Sequence, residues 1–363
     1  MKNILGTNLT LTLYGESHGA AVGAVLDGLA PGIPVDEDYI RAQLDLRRPV
    51  GDISTPRQEP DQFVIDSGVY AGKTTGTPLC IRIPNENVRS ESYSAMRAMA
   101  RPGHADYTGY VKYAGCNDPR GGGHFSGRIT AALVAAGAIV RRALEIKGIV
   151  IATHIARLGE VADRQLSCRM EEAAALNARP FAVLDEAAGE RMQACIREAR
   201  AAGDSVGGVL ETMVLGLPAG VGEPWFSSVE SLLAAALFGI PAVKGVEFGD
   251  GFAMCGWRGS QANDSFCMQG ERVVTATNHN GGINGGITNG MPVVFRTAVK
   301  PTPTIALEQH TVNFVEKQNG TLRGRGRHDP CIVHRARVVT DCVTALVLGD
   351  LCSGRYGTDW LGE

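Results

Sequence analysis

Apolar and polar positions alternate between residues 6 and 14 and again between about 21 and 29, the two-residue period of half-buried strands. Gly15-Glu16-Ser17-His18-Gly19 lies between these runs as a strand-end turn. Pro34-Val35-Asp36 introduces a helix through about residue 46, with Asp36, Glu37 and Asp38 early and Arg41, Arg47 and Arg48 late, the distribution that suits a helix dipole. Extended runs return at 62 to 70 and 77 to 83, and residues 85 to 100 make a polar connection with room for a short helix. The period changes at 127 to 144, GRITAALVAAGAIVRRAL, which is apolar on nearly all sides until Arg141 and Arg142. Such a helix is central, and its alanines permit close packing. A β-branched strand is predicted at 148 to 158, a helix-rich portion at 169 to 202, a helix at 225 to 238 and a strand at 291 to 299. From 333 to 348 the pattern alternates first and then becomes helix-like.

The second half echoes the first. Residues 19 to 26, GAAVGAVL, parallel 203 to 210, GDSVGGVL, and 76 to 82, GTPLCIR, parallel 290 to 296, GMPVVFR. No linker composition or charge tract marks a boundary near 200. The expectation is a single α+β domain over 1 to 363, with structural halves at about 1 to 150 and 200 to 350 around apolar central helices.

Composition narrows the class. The 363 residues are 44% hydrophobic, enough for a sizeable core, and 38 acidic against 35 basic residues leave no general attraction for nucleic acid or membranes. Nine cysteines without a CxxC pair indicate neither a disulfide scaffold nor a zinc site, so no metal is expected. With an alternating, polar start and no run of eighteen apolar residues, the chain reads as cytoplasmic.

Charge is concentrated beside glycine and proline. The densest case is 101 to 128, RPGHADYTGYVKYAGCNDPRGGGHFSGR, which places His104, His124 and three glycines in a row just before the apolar helix. Backbone that passes close to a ligand, a Ser126 cap and free N–H groups at a helix start make an anion site; a flexible surface loop with a helix cap is the other reading. His18 is either an acid or base projecting into a cleft or a turn histidine bonded to backbone. The arginines of 47 to 61, RRPVGDISTPRQEPD, are candidate anion clamps. Residues 278 to 290, NHNGGINGGITNG, wrap a flat cofactor or phosphate, or else punctuate a hairpin. In 323 to 331, RGRGRHDPC, Asp329 is a turn residue or a carboxylate held among arginines beside a proton-transfer site.

Separate, ordered motifs resemble those of the chorismate synthase family across almost the full length. They include GESHG at 15 to 19, TPRQEPD at 55 to 61, RPGHADY at 101 to 107, RGGGHFSGR at 120 to 128, GSQANDSF at 259 to 266, NGGINGGITNG at 280 to 290, KPTPT at 300 to 304 and GRHDPC at 326 to 331. The resemblance implies a three-layer β-α-β sandwich with a central helical layer, commonly assembled as a homotetramer. It also implies conversion of 5-enolpyruvylshikimate 3-phosphate to chorismate and phosphate by 1,4-anti elimination, with FMN required in its reduced form and no net redox change.

On the matching positions, the resemblance makes His18 the residue that protonates reduced flavin or stabilises its anion, His104 the acid near the departing phosphate, and Asp329 the relay for the hydrogen removed. Arg48, Arg57, Arg128 and Arg327 become candidates for the substrate's carboxylates and phosphate. Ser126, Asn280, Lys300, Thr304 and Arg327 fall on the flavin side. Two departures stand out: His124 replaces a common arginine, which leaves it a possible substrate neighbour only, and Ile129 replaces an acidic residue. No nicotinamide-dependent reductase module is evident, so an external flavin-reducing system is expected. Another flavin- and phosphate-binding oxidoreductase is the alternative, and a noncatalytic metabolite- or RNA-binding protein a more distant one.

Overall fold

A computed structural model of the protein describes residues 3–55, 59–86, 98–324 and 329–363. Arg57, Arg327 and most of the 85 to 100 connection therefore lie outside the described residues. In the first half, β1 (Ile4–Leu5), β2 (Thr10–Gly15) and β3 (Ala21–Asp27) run antiparallel. Helix α1 (Glu37–Arg47) follows, its N-cap Asp36 accepting the Tyr39 N–H at 2.9 Å. The strand expected at 62 to 70 is broken. β4 (Val64–Ser67) ends at Gly68, where φ is +85° and a Cβ would meet the Leu79 Cα at 2.4 Å, so β5 (Val69–Tyr70) turns away to pair with β6 (Lys73–Thr74). β7 (Leu79–Pro84) completes a five-stranded antiparallel sheet in the order β1-β2-β3-β7-β4. Then come α2 (Asp106–Lys112) and α3 (Thr130–Ile146). The helix predicted from residue 127 begins as a 3₁₀ turn, Gly127–Ile129, with Ser126 Oγ accepting the Arg128 N–H at 3.2 Å.

The second half starts with β8 (Val150–Leu158) and β9 (Val161–Ala162), and its helix-rich portion divides into α4 (Met170–Asn177) and α5 (Glu186–Ala201). β10 (Gly208–Leu215), α6 (Val229–Phe238), β11 (Val243–Phe248) and the short α7 (Gly259–Ala262) follow. Two small hairpins, β12 and β13 (Phe266–Gln269, Arg272–Thr275) and β14 and β15 (Ile283–Asn284, Ile287–Thr288), precede β16 (Val293–Val299). The second sheet is also antiparallel, in the order β11-β16-β10-β8-β9. A hairpin of β17 (Glu308–Asn313) and β18 (Gln318–Arg323) leads to α8 (Val333–Tyr356).

The mixed α/β core sits where the two long helices meet. α3 packs against β3, β7 and α8, while α8 also packs against β8 and β10. On β3 and β7 the cross-strand pairs Val22 with Ile83, Ala24 with Ile81 and Leu26 with Leu79 are all fully buried toward α3. Each buried Leu, Ile or Val contributes about 1.5–3 kcal/mol. Alternation at 333 to 348 suggested an extended start, yet α8 is one continuous helix. Nearly every side of it is covered, so its apolar positions carry no helical stripe.

Strand order repeats between the halves: β2-β3-β7-β4 corresponds to β8-β10-β16-β11, with α1 and α6, and then α3 and α8, at matching places along the chain. Arg82 on β7 holds Asp66 of β4 at 3.0 Å, and Arg296 on β16 holds Glu247 of β11 at 2.8 Å. The echo of 76 to 82 with 290 to 296 keeps this register. The other echo does not: Leu26 stands opposite Leu79 and Val214 opposite Val293, so Leu26 corresponds in the ladder to Val214 rather than to Leu210.

Arg141, expected at the polar end of a helix, is fully buried. Its Nη1 donates to Gln43 Oε1 at 2.7 Å and its Nη2 to the Ile151 carbonyl at 2.9 Å, beside Asp341 of α8 at 3.5 Å. Thr153 donates to the other Asp341 oxygen at 2.6 Å. Nearby, His334 lies on α8 with its Nε2 2.7 Å from Ser54 Oγ, and burial, aided by Arg335, pushes its pKa down to about 3. The chain ends are joined as well: Asp350 of α8 accepts the N–H groups of Thr7, Asn8 and Leu9 at 3.0, 2.6 and 2.9 Å. Among the described residues no helix is long and apolar enough to cross a membrane.

Candidate functional site

Three glycines bring two histidines to one loop. Gly121, Gly122 and Gly123 have φ of +59°, +88° and +54°, a left-handed run open to glycine and costly for other residues. A Cβ on Gly121 would lie 2.6 Å from Cδ2 and Nε2 of His18, and one on Gly122 would lie 3.2 Å from Cε1 and Nε2 of His104. Both imidazoles therefore rest on backbone that no side chain shields. The turn carrying His18 is fastened to the same loop, since the Ser17 N–H donates to the Gly123 carbonyl at 3.1 Å and Ser17 Oγ to the Arg120 and Gly121 carbonyls at 3.2 Å. His124 sits at the far end of the loop, with Nδ1 donating to the Gly15 carbonyl at 2.7 Å. That bond fastens the loop to β2.

His104 belongs to a compact charged group. Asp106 Oδ1 lies 2.9 Å from His104 Nδ1, and Arg101 donates to Asp106 through Nη2 and Nε at 2.7 Å and through its backbone N–H at 3.0 Å. Burial alone would raise the Asp106 pKa, but the hydrogen bonds from Arg101 and His104 outweigh it and hold the carboxyl well below its usual range. Lys300 reaches the same segment, donating from Nζ to the Gly103 carbonyl at 2.6 Å, while Pro303 lies against Gly103. The 300 to 304 stretch, with Thr304 half-buried at its end, thus abuts the RPGH turn.

A cavity of about 280 Å³ opens beside the start of α3 and is lined by Arg47, Arg48, Ser126, Arg128, Asp329 and Arg335 among others. Among the described residues its lining sets four guanidiniums against the carboxylates of Glu59, Asp61 and Asp329, an excess of positive charge that suits an anion. The guanidiniums differ in freedom. Arg128 is buried, with Nε on Asn85 at 3.0 Å, Nη2 on the Pro84 carbonyl at 3.1 Å and Nη1 on Asp61. Arg47 shares that carboxylate at 3.0 Å and also donates to Thr130 at 2.9 Å and to the Gly127 carbonyl at 3.2 Å. Asp61 itself has φ of +50°, an uncommon conformation for a residue with a side chain. Arg48 is more open and pairs with Asp45 at 2.8 Å. On the opposite wall Arg335 donates through Nη1 to Asp329 and through Nε to the Arg47 carbonyl at 2.8 Å. Burial raises the Asp329 pKa despite that arginine, so its carboxyl retains a proton more readily than an ordinary aspartate.

Of the residues singled out in the sequence, Arg48, Ser126, Arg128 and Asp329 share the cavity. His18 and His104 share the glycine loop that runs into it, with Lys300 behind His104. Asn280 is elsewhere, in a turn where its N–H and Nδ2 both bond to Asp264, at 2.9 and 2.8 Å. Three residues escaped sequence reasoning. Asp61 and Asp106 stood inside the quoted motifs without a role, and Arg335 follows GRHDPC by too little to suggest that α8 turns it back onto Asp329. Among the described residues no group of side chains has the makings of a metal site.

The chorismate synthase family model matches residues 9–352. A chorismate synthase of Thermococcus gammatolerans is 48% identical over 346 residues, covering 95% of this chain and 96% of its own. One from Dehalococcoides mccartyi is 46% identical over 352 residues, covering 97% and 96%, and one from Aeropyrum pernix is 46% identical over 351 residues, covering 96% and 92%. A solved chorismate synthase crystal structure superposes with a TM-score of 0.77 at 29% identity, covering 98% of this chain and 94% of the other.

Proposed function

The chain belongs to the chorismate synthase family and is a chorismate-forming lyase, and from that premise we propose how its own side chains divide the work. The observation that carries the reading is the joining of the arginine-lined cavity to the glycine loop on which His18 and His104 rest. The substrate is 5-enolpyruvylshikimate 3-phosphate, an anion with a phosphate and two carboxylates, which suits a cavity of four guanidiniums. Arg48, the most open of the four, presents donors to it, while Arg335 is held by Asp329 and the Arg47 carbonyl. Arg128 and Arg47, already committed to Asp61, Asn85 and backbone carbonyls, supply fixed positive charge rather than a free fork, and pre-arranged charge of this kind favours departure of phosphate.

His104 gives a proton to the departing phosphate, and His18, buried against Gly121 of the same loop, controls charge at the cofactor. Asp329 accepts the hydrogen lost from the ring; its raised pKa suits a carboxylate that must hold a proton during turnover. The donor set fits reduced FMN: bare glycine backbone offers close approach to a flat ring, and Ser126 and Lys300 offer a hydroxyl and a cation for its polar parts, with Thr304 beside them. When bound, reduced FMN supplies transient electron density to the substrate and is regenerated within each turnover. Asn280, bonded to Asp264, takes part only by shaping its turn.

The same reading covers the finer architecture and surroundings. The repeated strand order supports a duplicated β-α-β sandwich. Exposed Trp225, Phe226, Phe252 and Phe266 in the second half support burial against further copies in a homotetramer. We place the protein in the cytoplasm with an external flavin-reducing system. Anaerobic incubation with reduced FMN and the phosphorylated substrate tests the whole: chorismate and phosphate appear in equal amounts while reduced flavin persists. Net flavin oxidation coupled to turnover, or no chorismate from flavin-loaded protein, overturns it. His104→Ala slows phosphate release more than it weakens FMN binding.

A further inference from the structure

We propose that Asp106 is a positioning residue for the elimination: held in place by Arg101, it fixes which nitrogen of His104 faces the reaction. The inference rests on the reading of His104 as the acid for the departing phosphate. It starts from hydrogen-bond chemistry. Asp106 receives three bonds from Arg101, two at 2.7 Å and one at 3.0 Å, and an ionised carboxylate can only accept. The 2.9 Å contact with His104 Nδ1 therefore requires a hydrogen on Nδ1. Arg101 Nη2 also lies 3.1 Å from that nitrogen, but it cannot donate to a ring nitrogen that already carries hydrogen, so its donors serve Asp106. Nε2 remains as the exchanging atom, and it is the nitrogen that lies, with Cε1, against Gly122 of the loop.

The proton balance follows. As the C–O bond breaks, its electron pair stays with the phosphate oxygen, which takes the Nε2 proton. His104 is left neutral with Nδ1–H still on Asp106, and solvent restores the proton lost, in balance with the hydrogen removed from the ring. The charged neighbours act on the imidazolium with opposite signs, the Lys300 ammonium on the Gly103 carbonyl adding to the positive side. Asp106 stabilises its positive charge and Arg101 opposes it, while Arg101 also keeps Asp106 ionised and in place. The N-terminal setting of Asp106 on α2, with His104 two residues earlier in the same turn, keeps the three groups in step.

The test measures kcat and KM against pH, with FMN binding followed in parallel, for the reduced, flavin-loaded enzyme and its Asp106→Asn, Asp106→Glu, Arg101→Gln and His104→Gln variants. The rate falls at high pH as the acid loses its proton. In Asp106→Asn, kcat drops on the order of 10²-fold with KM within about twofold, and the alkaline limb moves to lower pH by about one unit. In Arg101→Gln the limb moves to higher pH, and Asp106→Glu recovers most of the rate and the limb. Adding Asp106→Asn to His104→Gln costs less than about twofold more. If His104→Gln is slow but Asp106→Asn and Arg101→Gln leave the limb in place, Asp106 is only structural; the proposal is overturned and the role of His104 stands. Should His104→Gln react at the wild-type rate, both fall. Should Asp106→Asn fail to fold, the upward shift in Arg101→Gln decides, and its absence overturns the proposal.

Discussion

Replacing Asp61 with Asn should destabilise the protein more than almost any other isosteric change. The side chain keeps its volume, and Asn is tolerated at a φ of +50°, so neither packing nor backbone strain is altered. What changes is charge. Arg47, Arg128 and Asp61 carry a net charge of +1 while almost wholly screened from water, and removal of the carboxylate leaves two guanidiniums facing each other at +2. Losing one partner of such a buried cluster costs about 3–5 kcal/mol, and two charge-assisted hydrogen bonds at about 1.5–3 kcal/mol each lead to a similar figure. For 363 residues the entropy of unfolding is about 0.8 kcal/mol/K, so Tm should fall by about 4–6 °C. Differential scanning calorimetry reads this directly. Because the freed donors border the anion cavity, millimolar inorganic phosphate should restore more of the Tm in Asp61→Asn than it adds to the wild type. A Tm within about 1 °C of wild type would mean that the two arginines do not depend on Asp61, and the electrostatic account of the cavity wall would have to be abandoned.

Three further outcomes follow from features of the same molecule. In Gly121→Ala the new methyl meets His18 at 2.6 Å and Ser17 Oγ at 2.8 Å, and a left-handed alanine adds about 1–2 kcal/mol, so His18 must shift and single-turnover phosphate release should slow on the order of 10²-fold; an unchanged trace refutes the seating of His18 on that loop. His334 has a folded pKa near 3, below its unfolded value, so its share of stability is complete above the unfolded pKa and is lost as pH falls from about 6.5 toward 3, to the extent of a few kcal/mol. Urea melts at pH 7 and pH 5 should therefore differ less in His334→Gln than in wild type, and equal differences would count against burial as the cause. Asp329→Asn cannot accept the ring hydrogen, so chorismate formation should fall by on the order of 10²-fold or more while substrate binding changes little; retained turnover removes Asp329 from the reaction.

Much of this was legible along the chain. His18, His104, Ser126, Arg128 and Asp329 were recognisable because each stands in a short motif whose glycines or prolines force a loop at that point. The partners that give those residues their chemistry were less visible, because the fold rather than local spacing brings them together. Asp61 meets Arg128 across the cavity wall, and Arg335 meets Asp329 only because α8 begins where it does. Arg141 was misjudged for a related reason. An arginine near the end of an apolar helix suggests solvent, and nothing local announces that Asp341, Gln43 and the Ile151 carbonyl converge on it. The alternation at 333 to 348 misled because a helix enclosed on almost every side has no polar face to reveal its period.

The position of α8 also sets the order in which the protein can become complete. It follows every other long element described, yet it covers α3, contacts β8 and β10, and through Asp350 fastens the backbone at Thr7 to Leu9. At about 5–20 residues per second, the stretch from 333 to 363 takes about 2–6 s to synthesise. Throughout that interval α3 lacks the helix that covers its flank, and β8 and β10 lack the helix that packs on them. A nascent chain cannot secure its first half early and wait for the second. Premature termination anywhere before α8 leaves neither half with a closed core, so such fragments become clients of chaperones and proteases rather than independent domains.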